Sequence, residues 1–377
     1  MVHNACPFAN MAAASQLHAN LAASVPLTPS FQPNTPDPEK VPRPSGNNVR
    51  DHASIIADIP ELDYTQPLSA LLKLGTQRAH VKAEHSVGAA ALVQGTLGLE
   101  EYIRWLAALW RVYDVLELSL QLNSSNPVLA PTYDPTLLAR APTLAADINY
   151  LLTLLPPDTT PVSLPASSQS TVATPLPPFP LPSFLQSIFD DAPSPLSAYV
   201  DHLRTLSESP ITAPGLLAHA YVRYLGDLSG GQFIGARVKR SYGLKGDEGT
   251  SFYQFDFQKE GAAGGDESRA ELKKQLGEIK DWYRRGMDEA VGEDQKLKAD
   301  LVEEANLAFA LNTDLFSIIR VPSSGEKAGS KIAVAEQPKA GVKDFITQSM
   351  WFVAAAAVGM LLNIYLGPIV QDWRRGE

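Results

Sequence analysis

Cysteine is almost absent. The single residue among 377, Cys6, excludes an intramolecular disulfide framework and any cysteine-built zinc or iron–sulfur centre. That usage fits a reducing compartment. Basic residues are also scarce: Lys and Arg number 31 against 41 Asp and Glu, for a net charge of −10. With no sustained basic face, the chain has no nucleic-acid partner. Residues 1–39 hold no Lys or Arg, which removes both a secretory signal and an Arg-rich presequence. Charge of either sign is absent again from Phe345 to Gln371. Of the 30 prolines, 18 crowd into residues 1–60 and Pro156–Pro182, and none lies between Val81 and Asn126 or between Gly215 and Val321. Proline removes a backbone donor and clashes inside helices, so long helices belong in those proline-free stretches.

Hydrophobic residues make up 45% of the chain, enough for a substantial core, and no strand–helix–strand alternation is present. The fold class is all-α. At ~150 residues per domain the length allows two or three domains, yet the pattern supports one helical domain with appendages. Residues 1–60, rich in Pro, Ala, Ser and Asn without periodicity, read as a disordered extension. The helical domain covers 61–321. Its first helix enters at Pro67 and runs to Val81. The second, Leu99–Leu120, carries a stripe of Tyr102, Leu106, Leu109, Trp110, Tyr113, Leu116 and Leu120. Further helices are expected at Ala139–Leu155, Leu196–Ser207, Pro214–Tyr242, Arg269–Val291 and Lys296–Ile319. Residues 156–183 read as a Pro-rich disordered insertion, and Tyr242–Arg269 as a semi-ordered loop.

After a linker at 322–344 the chain turns apolar, most of all from Trp351 to Val370. About 20 residues rising ~1.5 Å each cover a hydrocarbon core of ~30 Å. Trp351, Tyr365 and Trp373 suit the interfaces, and Arg374 and Arg375 follow at once. Residues 345–371 are therefore expected to form a C-terminal transmembrane anchor, followed by a short tail at 372–377. This makes the protein tail-anchored, with its helical domain in the cytosol.

Three glycines, Gly226, Gly230 and Gly231, interrupt an otherwise good helix between Tyr221 and Phe233. Each costs ~1 kcal/mol against alanine, which calls for a compensating role. Close backbone approach by a flat ligand is one; a helix cap followed by a turn is the simpler alternative. Leu228–Gln232 also spells the signature of ATP-binding cassette proteins, but the chain contains no Gly-Lys pair and hence no phosphate-binding loop to go with it. Elsewhere His80 and Glu84 stand four apart on one helix face. A lone histidine is more often structural than a ligand.

The string His219 to Gln232 (HAYVRYLGDLSGGQ) closely resembles the distal-helix signature of the heme oxygenases, and Thr76–Glu84 (TQRAHVKAE) resembles their proximal helix. Lys280–Met287 is similar to their basic helix, and the segment from Val302 to Phe316 to the helix that walls their pocket. The resemblance covers about 64–155 and 184–320. It implies a multihelical bundle holding heme b between the two signature helices, with His80 as axial ligand to the iron and Glu84 orienting the imidazole. His85 and His219 are the other candidate ligands. Lys73, Lys280 and Arg284 would hold the propionates, with Tyr283 between the last two; Gln77 stands where a second lysine is common. Tyr221, Gly226, Ser229, Gly230, Gly231, Phe309, Asn312 and Phe316 would line the heme. Asp227, with Tyr113 and Arg223, would hold ordered water that delivers protons during oxygen activation.

The implied reaction consumes heme as both substrate and cofactor. It uses O2 and electrons from NADPH through a membrane-bound cytochrome reductase, and gives biliverdin, CO and ferrous iron. A downstream biliverdin reductase is a further implied partner. The endoplasmic reticulum membrane is the expected location, with the outer mitochondrial membrane as the alternative. Two other readings are a non-catalytic heme-binding or heme-sensing protein on the same fold, and a tail-anchored helical adaptor with a Pro-rich loop. Cys6 with Pro7 matches a type of regulatory heme contact, against the plainer reading of an incidental cysteine in the tail.

Overall fold

The computed structural model describes residues 59–156, 161–162, 181–255 and 266–321. The expected first helix is two helices. The first, α1 (Leu68–Gly75), starts after Pro67 and is fastened by Asp288, whose carboxylate accepts from the Ser69 N–H and hydroxyl at 2.7 Å each. At Thr76 the backbone leaves helical geometry (φ −103, ψ 1), and the Thr76 hydroxyl donates back to Leu72 O at 2.7 Å. Such back-bonding competes with the helical ladder. The Asn306 amide then donates to Gly75 O at 3.1 Å, and a Cβ at Gly75 would lie 2.7 Å from Val302 Cγ1. Threonine back-bonding and a bare glycine thus set the angle at which α2 (Gln77–Glu84) leaves α1. A third helix, α3 (Val87–Gln94), was not expected from the sequence; Ser86 caps its start and Gly95, at φ 66, ends it.

The stripe read in the first proline-free stretch becomes the spine α4 (Leu99–Leu122), with Tyr102, Leu106, Leu109, Trp110, Tyr113, Leu116 and Leu120 all buried. Short α5 (Pro135–Leu138) leads into α6 (Ala141–Leu152), whose first N–H groups, from Arg140 and Ala141, donate to the Glu117 carboxylate of α4. The insertion is pinched at its ends by a two-residue antiparallel pairing of β1 (Pro161–Val162) with β2 (Leu181–Pro182). Residues between those strands lie outside the described set. Then follow α7 (Ser183–Phe189), α8 (Ser194–Ser207), α9 (Gly215–Tyr242), α10 (Asp266–Val291) and α11 (Gln295–Phe316).

Two helices organise the rest. α4 is flanked by α6, α7, α8 and α9, while α11 carries α1, α2, α8 and α9. The segment after α9 is firmer than expected: Phe252, Tyr253 and Phe255 are buried, and Asp147 takes the Ser251 and Phe252 N–H groups at 2.9 and 2.8 Å. Among the described residues no helix is long and apolar enough to cross a membrane. The predicted anchor at 345–371, the linker and the N-terminal extension with Cys6 lie outside them.

Candidate active site

The proximal helix α2 is mostly exposed; Ala83 is its one buried residue. The His80 side chain is 55% exposed, and Glu84 Oε1 stands 3.6 Å from its Nδ1. That is beyond hydrogen-bond length but within reach of a small side-chain adjustment. The Phe309 ring of α11 meets the imidazole edge-on, with centroids 5.5 Å apart. The other candidate histidines are committed elsewhere. His85 Nδ1 lies 2.7 Å from Val81 O, and His219 is wholly buried, its Nε2 2.8 Å from Glu304.

On α9 an open stripe runs through Gly226, Ser229, Gly230 and Phe233, spaced by one, three or four residues. A Cβ at Gly226 or Gly230 would meet no atom within 4 Å. Gly231 differs from its expected place on this face: it is buried, and a Cβ there would face Tyr253 at 3.7 Å. It serves packing.

Beside the stripe, the Asp227 carboxylate accepts the Tyr113 hydroxyl. Arg223 Nε donates to the same Tyr113 oxygen at 3.1 Å, its Nη1 donates to Asn312 Oδ1 at 2.7 Å, and its guanidinium lies 4.7 Å from the Tyr113 ring centroid. Asn312 Nδ2 continues the chain to the Tyr199 hydroxyl at 3.2 Å. Burial raises the Asp227 pKa above the ordinary carboxylate value, opposed by the Arg223 charge and the Tyr113 hydrogen bond. Burial also works against the Arg223 charge, but Tyr113 and Asp227 more than offset it and the guanidinium stays protonated. Tyr113 is pushed well up by burial, so its hydroxyl keeps its proton. Since Phe309 and Asn312 sit one turn apart on α11, that helix brings the His80 side and the Asp227 side together.

On α10, burial and then the neighbouring Arg284 lower the Lys280 pKa. Arg284 is held at 2.9 Å by Asp281, and its charge is felt by Tyr221 of α9. Lys73 is exposed near the end of α1, one turn beyond the Ser69–Asp288 fastening. Tyr283, expected between Lys280 and Arg284, points inward instead. It is 1% exposed, beside Thr132 and a cavity of about 20 Å³ also lined by Glu117 and Tyr224, room for about one water. Phe316 is half-buried and stacked on Trp105 with centroids 5.1 Å apart. Asn312, expected on the ligand wall, is instead a buried link between Arg223 and Tyr199.

A family model described as heme oxygenase matches residues 66–166 and 187–318. The chain belongs to the heme oxygenase family. Heme oxygenase 1 of Gallus gallus is 30% identical over 282 residues, covering 74% of this chain and 77% of that protein. The solved heme oxygenase of Leptospira interrogans superposes with a TM-score of 0.50 at 28% identity, covering 67% of this chain and all of that one. Heme oxygenase-2 of Synechocystis sp., solved in complex with heme and NO, gives 0.51 at 27% identity, covering 67% and 85%. The gap between the two matched segments falls at the Pro-rich insertion.

Several members of this heme oxygenase's polar site have no motif of their own. Arg140 adds a charge felt by Asp227, and its guanidinium lies 4.1 Å from the Phe255 ring centroid. Phe252 meets the Tyr113 ring edge-on at 5.6 Å, closing its far side. Tyr199 sits on the apolar stripe of α8, where period alone marks it as core. The aromatic run after α9 was the one available signal, and it reads equally well as a loop.

Proposed function

We propose that this chain opens heme oxidatively to biliverdin, CO and ferrous iron. The observation that carries the reading is the pairing, on α9, of two glycines with empty Cβ positions and a half-buried carboxyl that accepts the Tyr113 hydroxyl, itself bonded by Arg223. The residues present fit a flat dianionic ligand: an exposed imidazole on α2, two glycines with open Cβ positions on α9, and basic groups at Lys73, Lys280 and Arg284. When bound, heme supplies the iron at which O2 is reduced and the ring carbon that is oxidised.

Everything else falls to the protein. His80 offers one nitrogen to the iron while Glu84 steers the Nδ1 proton. Gly226 and Gly230, with nothing within 4 Å of their Cβ positions, would let a flat ligand rest on the α9 main chain, and crowding there would set which ring edge reacts. Lys280 and Arg284, which repel each other, favour the arrival of carboxylates. Burial raises the Asp227 pKa above that of an exposed aspartate, which favours its taking up a proton and passing it on through water. Tyr113 and Arg223 fix where that proton is delivered.

Electrons come from NADPH through a cytochrome reductase, and residues 345–371 anchor the enzyme beside it in the endoplasmic reticulum membrane, or alternatively the outer mitochondrial membrane. A biliverdin reductase would take the product. The test is to incubate the full-length chain with hemin, NADPH, reductase and O2. The reading requires biliverdin and CO from the wild type, and heme uptake without biliverdin from Asp227→Ala. Heme uptake with no ring opening by the wild type would leave a heme-binding protein and end the proposal.

A further inference from the structure

Away from the glycine stripe, three helices each send one polar side chain to a common point. His202 comes from α8, His219 from α9 and Glu304 from α11. Both Nε2 atoms fall on the same carboxylate oxygen, Glu304 Oε1, at 2.6 and 2.8 Å, and the ring centroids are 5.3 Å apart. His219 is fully buried, while the His202 and Glu304 side chains keep 27% and 18% of their surface exposed. The cluster is thus sealed on one side and reachable from water on the other.

We propose that His202, His219 and Glu304 form a binding site for a divalent first-row cation of the zinc type, with water completing the coordination. Two imidazoles and one carboxylate are the donor set such cations prefer, and their donor atoms already lie within 4.8 Å of one another. Bonds of ~2.0–2.2 Å at tetrahedral angles put donors about 3.3 Å apart, so the side chains open by about half an ångström to admit the ion. For the ion to enter, each imidazole must carry its proton on Nδ1, freeing the Nε2 that now faces Glu304 Oε1 to ligate. A partner orients the buried imidazole as well, since the Tyr199 hydroxyl stands 3.5 Å from His219 Nδ1. Through Tyr199, Asn312 and Arg223 the cluster is joined to Tyr113 and Asp227, so occupancy is felt at that carboxyl. The site uses none of the residues assigned to heme, and its assignment does not depend on that reading.

The rival account is a hydrogen-bonded triad only, two N–H groups sharing one carboxylate oxygen to tie three helices together. Titrating the full-length, heme-free chain with Co2+ separates the two. The proposal expects one equivalent bound with the visible absorption of a four- or five-coordinate ion, displaced by Zn2+. His202→Gln keeps a polar donor to Glu304, and so the fold by circular dichroism, and should weaken binding at least 100-fold, beyond the ~10–100-fold cost of losing an outer-shell partner. His80→Ala should leave that equivalent untouched. No Co2+ bound by the wild type, or equal binding by His202→Gln, would overturn the site in favour of the triad.

Discussion

The two open glycines allow a prediction in which stability and activity move in opposite directions. Glycine in a helix interior costs ~0.8–1 kcal/mol against alanine. A Cβ at Gly226 or Gly230 would touch nothing within 4 Å, so neither substitution carries a steric cost in the free protein. Each should raise stability by ~0.5–1 kcal/mol, or about 1–4 °C in Tm for a domain of this size. The same methyl occupies the space where the porphyrin face is to rest. Carbon atoms pack no closer than ~3.5 Å, so the plane must retreat by an ångström or more, and misplacement of that size costs ~100-fold in rate. Two neighbours on α9 serve as controls. At Gly231 the Cβ would meet Tyr253 at an ordinary 3.7 Å, so alanine should raise Tm by a similar amount while changing turnover little. At Gly235 it would lie 2.8 Å from the Tyr253 Cβ in the core, and overpacking of that kind costs ~1–3 kcal/mol. The assay is thermal unfolding of the heme-free proteins alongside biliverdin formation from hemin. Raised Tm with undiminished biliverdin in both Gly226→Ala and Gly230→Ala would show that heme does not rest on this face.

Other consequences follow from the polar contacts. Tyr113→Phe removes the hydroxyl that Asp227 accepts and should slow biliverdin formation by ~100-fold or more while leaving heme affinity near wild type, measured by heme titration and single-turnover kinetics. Asp288→Ala leaves Ser69 without its two 2.7 Å acceptors and should cost ~1–2 kcal/mol in denaturant unfolding, loosening α1 and with it the proximal helix. Glu304 is held at about 2 when folded against an ordinary 4.5, so its stabilisation is present above about pH 4.5 and lost as pH falls toward 2. A shift of that size is worth about 3 kcal/mol, so Glu304→Gln should be less stable than wild type at pH 7, with the difference roughly halved by pH 3 and nearly gone below pH 2 in metal-free buffer. Glu117 has the opposite sign: burial raises it to about 7, so its effect lowers stability as pH rises from 4.5 to 7, and Glu117→Gln should flatten that slope.

What the sequence made legible was what repeats or spells. The stripe from Tyr102 to Leu120 on α4 and the ends of α9 followed from helical period and proline spacing, and the string around Asp227 marked the distal helix. The break at Thr76 did not show, because a threonine that bonds back to Leu72 looks the same in sequence as one that continues a helix. Tyr283 and Asn312 belong beside the ligand by resemblance, yet both are buried, since facing residues decide their orientation: Thr132 for the one, Arg223 with Tyr199 for the other. The convergence of His202, His219 and Glu304 was equally invisible, as 85 residues separate His219 from Glu304 and only the fold brings them together.

The central claim is that heme is held by His80 and opened with the help of the carboxyl at Asp227. It is tested most directly by mixing hemin with wild type, His80→Ala and Asp227→Ala, then following one turnover by optical spectroscopy with product extraction. The account predicts biliverdin from the wild type, a changed iron spectrum and no biliverdin from His80→Ala, and a wild-type-like iron spectrum without biliverdin from Asp227→Ala. An unchanged iron spectrum in His80→Ala, or full biliverdin yield from Asp227→Ala, would contradict it.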